Sequence, residues 1–205
     1  MGDGDPGALW VEIDEELLSH VRGGPTVFDG LPRCSALYDT AFNGLFRVEV
    51  CAGEQAMLAV EHVADGNSDW RLTEYLRRSA PSTVADAGPD PAPVELPARD
   101  AVTYRSALLD VDAARAADLL AAVRALDWGE PTPSSGQGRD GVTVHGTLHP
   151  ESGEAARRWT TWSPDPDVEP AKAAFFHRLW RFAVDNGPGA LDGDLDRVGP
   201  YLALP

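Results

Sequence analysis

Leu45-Phe46-Arg47-Val48-Glu49-Val50-Cys51, followed by Ala52-Gly53-Glu54-Gln55 and then Met57-Leu58-Ala59-Val60-Glu61-His62-Val63, is the stretch whose reading decides the fold. From Phe46 to Val50 the apolar side chains fall on even positions and the charges on odd ones. Successive side chains of a strand point to opposite faces, so this alternation describes a strand with one face in a core. The second run is also strand-like, and the short Gly-containing connection makes an antiparallel hairpin the economical reading.

Working outward toward the C-terminus, Ser68 or Asp69 is placed to cap a helix carrying Trp70, Leu72, Tyr75 and Leu76, which stops before Pro81. Residues 81–98 contain five prolines and three acids but no base, which reads as a surface loop or linker. Ala101 to Leu109 reads as a strand. Asp112 then caps a helix from Ala113 to Leu126, whose Leu119, Val123 and Leu126 recur at i, i+4 and i+7 beside Ala116 and Leu120. Residues 129–140 form a Gly/Pro/Ser loop. Gly141–Leu148 and Arg157–Trp162 make a second hairpin around 149–153. A final helix, Ala171 to about Asp185, presents Phe175, Leu179 and Phe182 with Phe176, Trp180 and Ala183 alongside. So wide an apolar stripe belongs at the centre of a core.

The N-terminal part is less regular. Residues 1–7 read as a flexible tail, Leu9 to Ile13 alternates weakly, and Asp14-Glu15-Glu16 opens a short helix ending near Gly23-Gly24. Acids suit that position because a helix N-terminus favours negative charge. Residues 24–43 read as turns. The tail after Asn186 is expected to be loosely packed. The fold class is therefore α+β: an antiparallel sheet built from two or more hairpins, with two to three packed helices. One domain over 1–205 is expected, with the Pro-rich loop at 81–98 as its only candidate internal boundary. Two small α+β units divided there are the alternative.

Thirty-three acids against 17 bases give a net charge of -16. Such a surface repels nucleic acid and anionic lipid and draws cations and basic proteins. Only Lys172 among the bases is a lysine; this arginine preference, with 20 Gly and 17 Pro, reads as the codon usage of a GC-rich bacterial genome. Cys34 and Cys51 are too few for a disulfide framework and contain no CxxC, so both are expected reduced and buried. The acidic first residues lack the apolar stretch of a signal peptide, and no apolar run approaches a membrane span. A cytoplasmic protein is expected, with no membrane or nucleic-acid association.

The short motifs mostly dissolve on inspection. Gly136, Gly138 and Gly141 match G-x-G-x-x-G, but a Pro/Ser loop precedes them and a strand follows, where a dinucleotide site needs a strand and then a helix. Asp192, Asp194 and Asp196 resemble the start of a calcium loop, yet Arg197 and Ala203 stand where Gly and Glu are needed. His145 and His149 would share a helix face, but the alternation of Val142, Val144 and Leu148 makes this a strand. The two imidazoles then stand roughly 13 Å apart, too far for one metal, and read as solvent-side residues. No nucleophile signature is present. No metal or cofactor is expected.

These readings leave a protein that associates with a macromolecular, possibly basic, partner without catalysis, as an immunity-like protein or accessory subunit does. Asp14, Glu15 and Glu16 supply its acidic contact, since no base occurs among the first 16 residues. Trp159 and Trp162 supply aromatic contacts beside Arg157 and Arg158, because Trp and Arg are enriched at interfaces. The alternative is an enzyme or small-molecule binder whose site is assembled from residues distant in sequence, with His145 and His177 as its first candidates. A pocket with convergent polar groups would favour the second reading.

Overall fold

A computed structural model describes residues 6–24, 28, 33–40, 44–64, 68–79, 94–127, 141–149, 156–187, 192–196 and 198–201. In chain order its main elements are α1 (Pro6–Arg22), β1 (Arg33–Thr40), β2 (Gly44–Cys51), β3 (Met57–Val63), α2 (Ser68–Ser79), β4 (Tyr104–Asp110), α3 (Ala113–Arg124), β5 (Val142–His149), β6 (Arg157–Trp162) and α4 (Pro170–Asn186). A one-turn helix, Asp192–Leu195, follows α4. The six strands form one antiparallel sheet in the order β4-β3-β2-β1-β5-β6, which makes the protein an α+β fold.

Both expected hairpins are present. β2 pairs with β3 through Val48↔Val60, and β5 pairs with β6 through Gly146↔Trp159. Gly44, where β2 begins, has φ +85°, and a Cβ there would collide with the Val63 carbonyl oxygen. Only glycine fits so close to the neighbouring strand. Strands from either side of the Pro-rich segment share the sheet, with β3 pairing β4 and β1 pairing β5. Residues 81–93 and the loop at 128–140, with Gly136 and Gly138, lie outside the described residues.

The sheet is covered on both faces. Phe46, Val48 and Val50 of β2, with Cys34, Ala36 and Tyr38 of β1, pack against α3 and α4. The aromatic residues read as central are central: Phe175 and Phe176 are fully buried, and Tyr38 donates its hydroxyl to the Phe176 carbonyl at 2.9 Å. Asp112 caps α3 by accepting from the Arg115 amide at 2.9 Å. On the opposite face, Ile13, Leu17 and Leu18 of α1 and Trp70 of α2 cover Leu37, Leu45 and Val63.

Three expectations differ from the structure. The tail after Asn186 is not loosely packed throughout, since Leu195 and Val198 are fully buried and the Leu195 carbonyl accepts from the Trp180 indole at 3.1 Å. Leu9–Ile13 is not strand-like and the acids do not open a helix; one helix runs from Pro6 to Arg22 and carries Asp14, Glu15 and Glu16 in its middle. Its apolar face, Ile13, Leu17 and Leu18, follows helical spacing. Within residues 24–43, read as turns, Arg33–Thr40 is a strand flanked on both sides, by β2 and β5. Its residues alternate, but small Cys34 and Ala36 on one face and polar Arg33, Ser35 and Asp39 on the other mute the hydrophobic signal. Being covered on both faces, it never shows the plain apolar-in, polar-out contrast.

Candidate functional site

The α1 face of the sheet is polar where the other face is apolar. Register lays its side chains out in rows. One row runs Thr160, His145, Leu37, Arg47, Glu61, Ser106 across all six strands. Beside it, Arg158, Thr147, Ser35 and Glu49 stand across β6, β5, β1 and β2. Alternating Arg and Glu on adjacent strands is a favourable cross-strand arrangement.

Helix α1 is clamped onto this surface by ion pairs. Arg22 grips Glu61 through two bonds of 2.7 Å, and Tyr104 donates its hydroxyl to the same carboxylate. Burial and that bond push the Tyr104 hydroxyl up to about 12. Arg47 pairs with Glu15 and stands 3.6 Å from Glu49 and 3.8 Å from Glu61. Arg33 lies 2.9 Å from Glu49 and donates to the Phe28 carbonyl at 2.7 Å. Arg71 of α2 holds the Asp14 carboxylate at 2.6 and 3.0 Å and also reaches Asp39 at 2.7 Å. Asp14 is fully buried, and desolvation pushes it up to about 7 against the pull of Arg71.

Between α1 and the β5–β6 edge this polar surface is left open as a cleft of about 460 Å³. Val11, Glu12 and Glu15 form the helix wall, Arg33, Ser35 and Arg47 the inner floor, and Thr147, Arg158 and Thr160 the outer one. His145 lies in the floor, only 5% exposed. Its Nδ1 is 2.9 Å from Thr160 Oγ1, while its Nε2 is buried with no hydrogen-bond partner among the described residues. Burial, with help from the positive charge of Arg71, lowers its pKa to about 3. The imidazole is therefore neutral at physiological pH. A neutral ring offers one donor and one acceptor, so Nε2 presents whichever role the Thr160 bond leaves to it.

Gly146 sets this geometry. Any Cβ at 146 would overlap the Trp159 indole, which lies across it on the apolar face and meets Phe175 edge-on at 4.6 Å. The missing side chain lets Trp159 close over β5 directly behind His145.

No family model matches this sequence, and no curated protein or solved structure resembles it at a significant level. The site must be read from its own chemistry.

The structure distributes the expected site residues widely. Asp14 faces Arg71 inside the protein; Glu15 and Glu16 are half-exposed and engage Arg47 and Arg78. These three acids thus hold the α1–α2 layer to itself and to the sheet. Trp159 and Trp162 lie on opposite faces of β6, both partly buried. His145 is buried rather than solvent-side, because α1 and β6 enclose the floor around it. His177 stands on α4, across the sheet from His145 and 6.4 Å from the Trp180 ring, so the two histidines do not form one site. Burial and the neighbouring Arg181 and Arg178 lower the His177 pKa.

Ser35, Arg33, Arg47, Arg158 and Thr160 were not singled out as a set in the sequence. The strand alternation of Arg47 and Glu49 was the available signal, since charges on a strand face predicted to be covered must find partners. Among the described residues no cluster of His, Cys, Asp and Glu could hold a metal ion, and no helix is long and apolar enough to cross a membrane. Of the calcium-like acids, the side chains of Asp192 and Asp194 lie outside the described residues.

Proposed function

We propose that this protein binds a small polar molecule in the cleft between α1 and the β5–β6 edge, with His145 as its central hydrogen-bonding contact. The observation that carries this reading is the unpartnered His145 Nε2 in the cleft floor. A buried polar atom left unsatisfied costs about 1–3 kcal/mol. A ligand group that pairs with Nε2 recovers that cost. The cleft volume falls in the usual range for small-molecule sites. Its lining is mostly polar, with hydroxyls, guanidiniums and carboxylates converging beside Val11 and Trp159.

Binding is favoured over catalysis by the same histidine. A ring with a pKa near 3 is too weak a base to hold a proton at neutral pH. It orients a ligand by accepting or donating one bond. Association with a macromolecular partner keeps the support of the net charge, but Asp14, Glu15 and Glu16 are already engaged by arginines.

The test is a small-molecule fragment set followed through the His145 imidazole resonances and Trp159 fluorescence in the full chain. Saturable shifts at both are expected, and His145→Gln should weaken the best fragment by at least about tenfold, roughly one lost hydrogen bond. A set of several hundred fragments that leaves the His145 resonances unmoved would refute the reading.

A further inference from the structure

We infer that the ligand of this cleft is a zwitterion, with its amino and carboxylate groups separated by about the length of a dipeptide; this rests on the small-molecule reading above. Most charges in the lining are already neutralised. Arg47 is held by Glu15 and stands close to Glu49 and Glu61, and Arg33 lies against Glu49. The carboxylates beneath them match those two guanidiniums. Among the described residues, two charged members of the lining have no ion pair: Glu12 on the helix wall and Arg158 on the β6 side. Both are exposed, so each offers its charge to whatever enters between them.

A ligand carrying only an anionic group would pair with Arg158 but would meet Glu12 and approach a protein of net charge -16. A ligand carrying only a cation would pair with Glu12 and meet the arginine side of the cleft. A zwitterion satisfies both walls at once and is indifferent to the overall charge. Size is consistent with this. A cleft of about 460 Å³ is on the order of 8 Å across, and two residues of extended chain span about 7 Å. The amide between the charged ends would lie over the floor, where its carbonyl or N–H meets the His145 Nε2 and the Ser35, Thr147 and Thr160 hydroxyls surround it. His145 suits either role because Thr160 Oγ1 can donate to or accept from Nδ1.

The experiment titrates the full-length protein with alanyl-alanine, its N-acetyl derivative and its C-terminal amide, by calorimetry and by Trp159 fluorescence. The free dipeptide is expected to bind at least tenfold more tightly than either singly charged form. Glu12→Gln should abolish its advantage over the N-acetyl form, and Arg158→Gln its advantage over the amide. Both residues are exposed, so neither change threatens folding. Equal or tighter binding of either singly charged form to the unaltered protein overturns the inference. If none of the three binds while other fragments still move the His145 resonances, the zwitterion inference falls and the small-molecule reading stands. If nothing moves His145, both fall.

Discussion

The two faces of the sheet are made by the same strands, residue by alternate residue, and they do different work. Toward α3 and α4 the strands present Cys34, Ala36, Tyr38, Phe46, Val48, Val50, Leu58 and Val60. Toward α1 and α2 the same strands present Ser35, Arg47, Glu49, Glu61 and His145, with apolar contact confined to residues such as Leu37, Leu45 and Val63. The first face is held by burial of apolar area, which has no directional demand. The second is held by ion pairs and hydrogen bonds, each needing a partner in one place. The apolar face therefore carries stability. The polar face depends on pairing instead, and in its open cleft the His145 Nε2 has no partner among the described residues.

The sharpest way to break this comparison is to remove a side chain from the apolar face. Phe176 is fully buried, meets Phe175 edge-on at 5.2 Å and faces the Tyr38 ring at 6.0 Å. Phe176→Ala should destabilise the fold by about 4 kcal/mol, the typical cost of emptying an aromatic site. Urea unfolding measures this directly. A cost under about 1 kcal/mol would mean that the face holding the fold has been misidentified.

The polar face should answer to pH instead. Asp14, raised to about 7 from 3.8, favours folding when protonated; its contribution is complete below about pH 4 and is lost as pH rises through 7. His145, lowered to about 3 from 6.5, favours folding when neutral; its contribution is present above about pH 6.5 and is lost as pH falls toward 3. Between pH 4 and 6.5 the two slopes oppose each other. Unaltered protein should therefore show a shallower stability profile there than Asp14→Asn, in which the lowered His145 and His177 act unopposed. His145→Gln should expose the Asp14 slope, losing about 3 kcal/mol as pH rises across that range, and Asp14→Asn should expose the reverse. Chemical unfolding at half-unit pH steps resolves the sign. Matching flat profiles in both variants would show that neither group is desolvated as the geometry requires.

The apolar face was also the legible one. Phe46, Val48 and Val50, and the helical stripe Phe175, Leu179 and Phe182, announce their period locally, so both hairpins and both helices of that side can be found from sequence. The polar face hides its order because its partners are remote. Asp14 resembles a helix-opening acid until Arg71, 57 residues further on, is brought against it. Arg33–Thr40 resembles a turn region because its small and polar residues match neither period strongly, though it lies between β2 and β5. The strand carrying His145 is readable, and so is the face on which the ring stands. Its burial is not, because that depends on a helix more than 120 residues upstream.

Gly146 joins the two faces and tests whether they are coupled. Its missing side chain lets Trp159 lie across β5 on the apolar side, while His145 projects from the adjacent position on the polar side. Gly146→Ala should displace the indole and cost about 2 kcal/mol, as overpacking does. It should also shift the His145 resonances, although no atom is added on the polar face. A destabilised variant whose His145 resonances stay in place would show that each face is built independently.

The smallest effect belongs to a charge pair that neither face contains. Arg181 and Asp185 stand one turn apart on α4, 3.6 Å from one another, with 57% and 42% of their side chains exposed. Water screens such a pair, and holding two mobile side chains together consumes much of what attraction remains. Asp185→Asn should therefore change stability by less than about 0.5 kcal/mol. Arg71→Met, which leaves the buried Asp14 without its guanidinium, should cost several times more at pH 8, where that carboxylate must ionise in place or take up a proton against the solvent. Lowering the pH to 5 should recover part of the Arg71→Met loss and leave the Asp185→Asn value unchanged. Equal costs for the two substitutions would mean that the polar face is solvated like any surface, and its ion pairs could no longer be credited with fixing α1 in place.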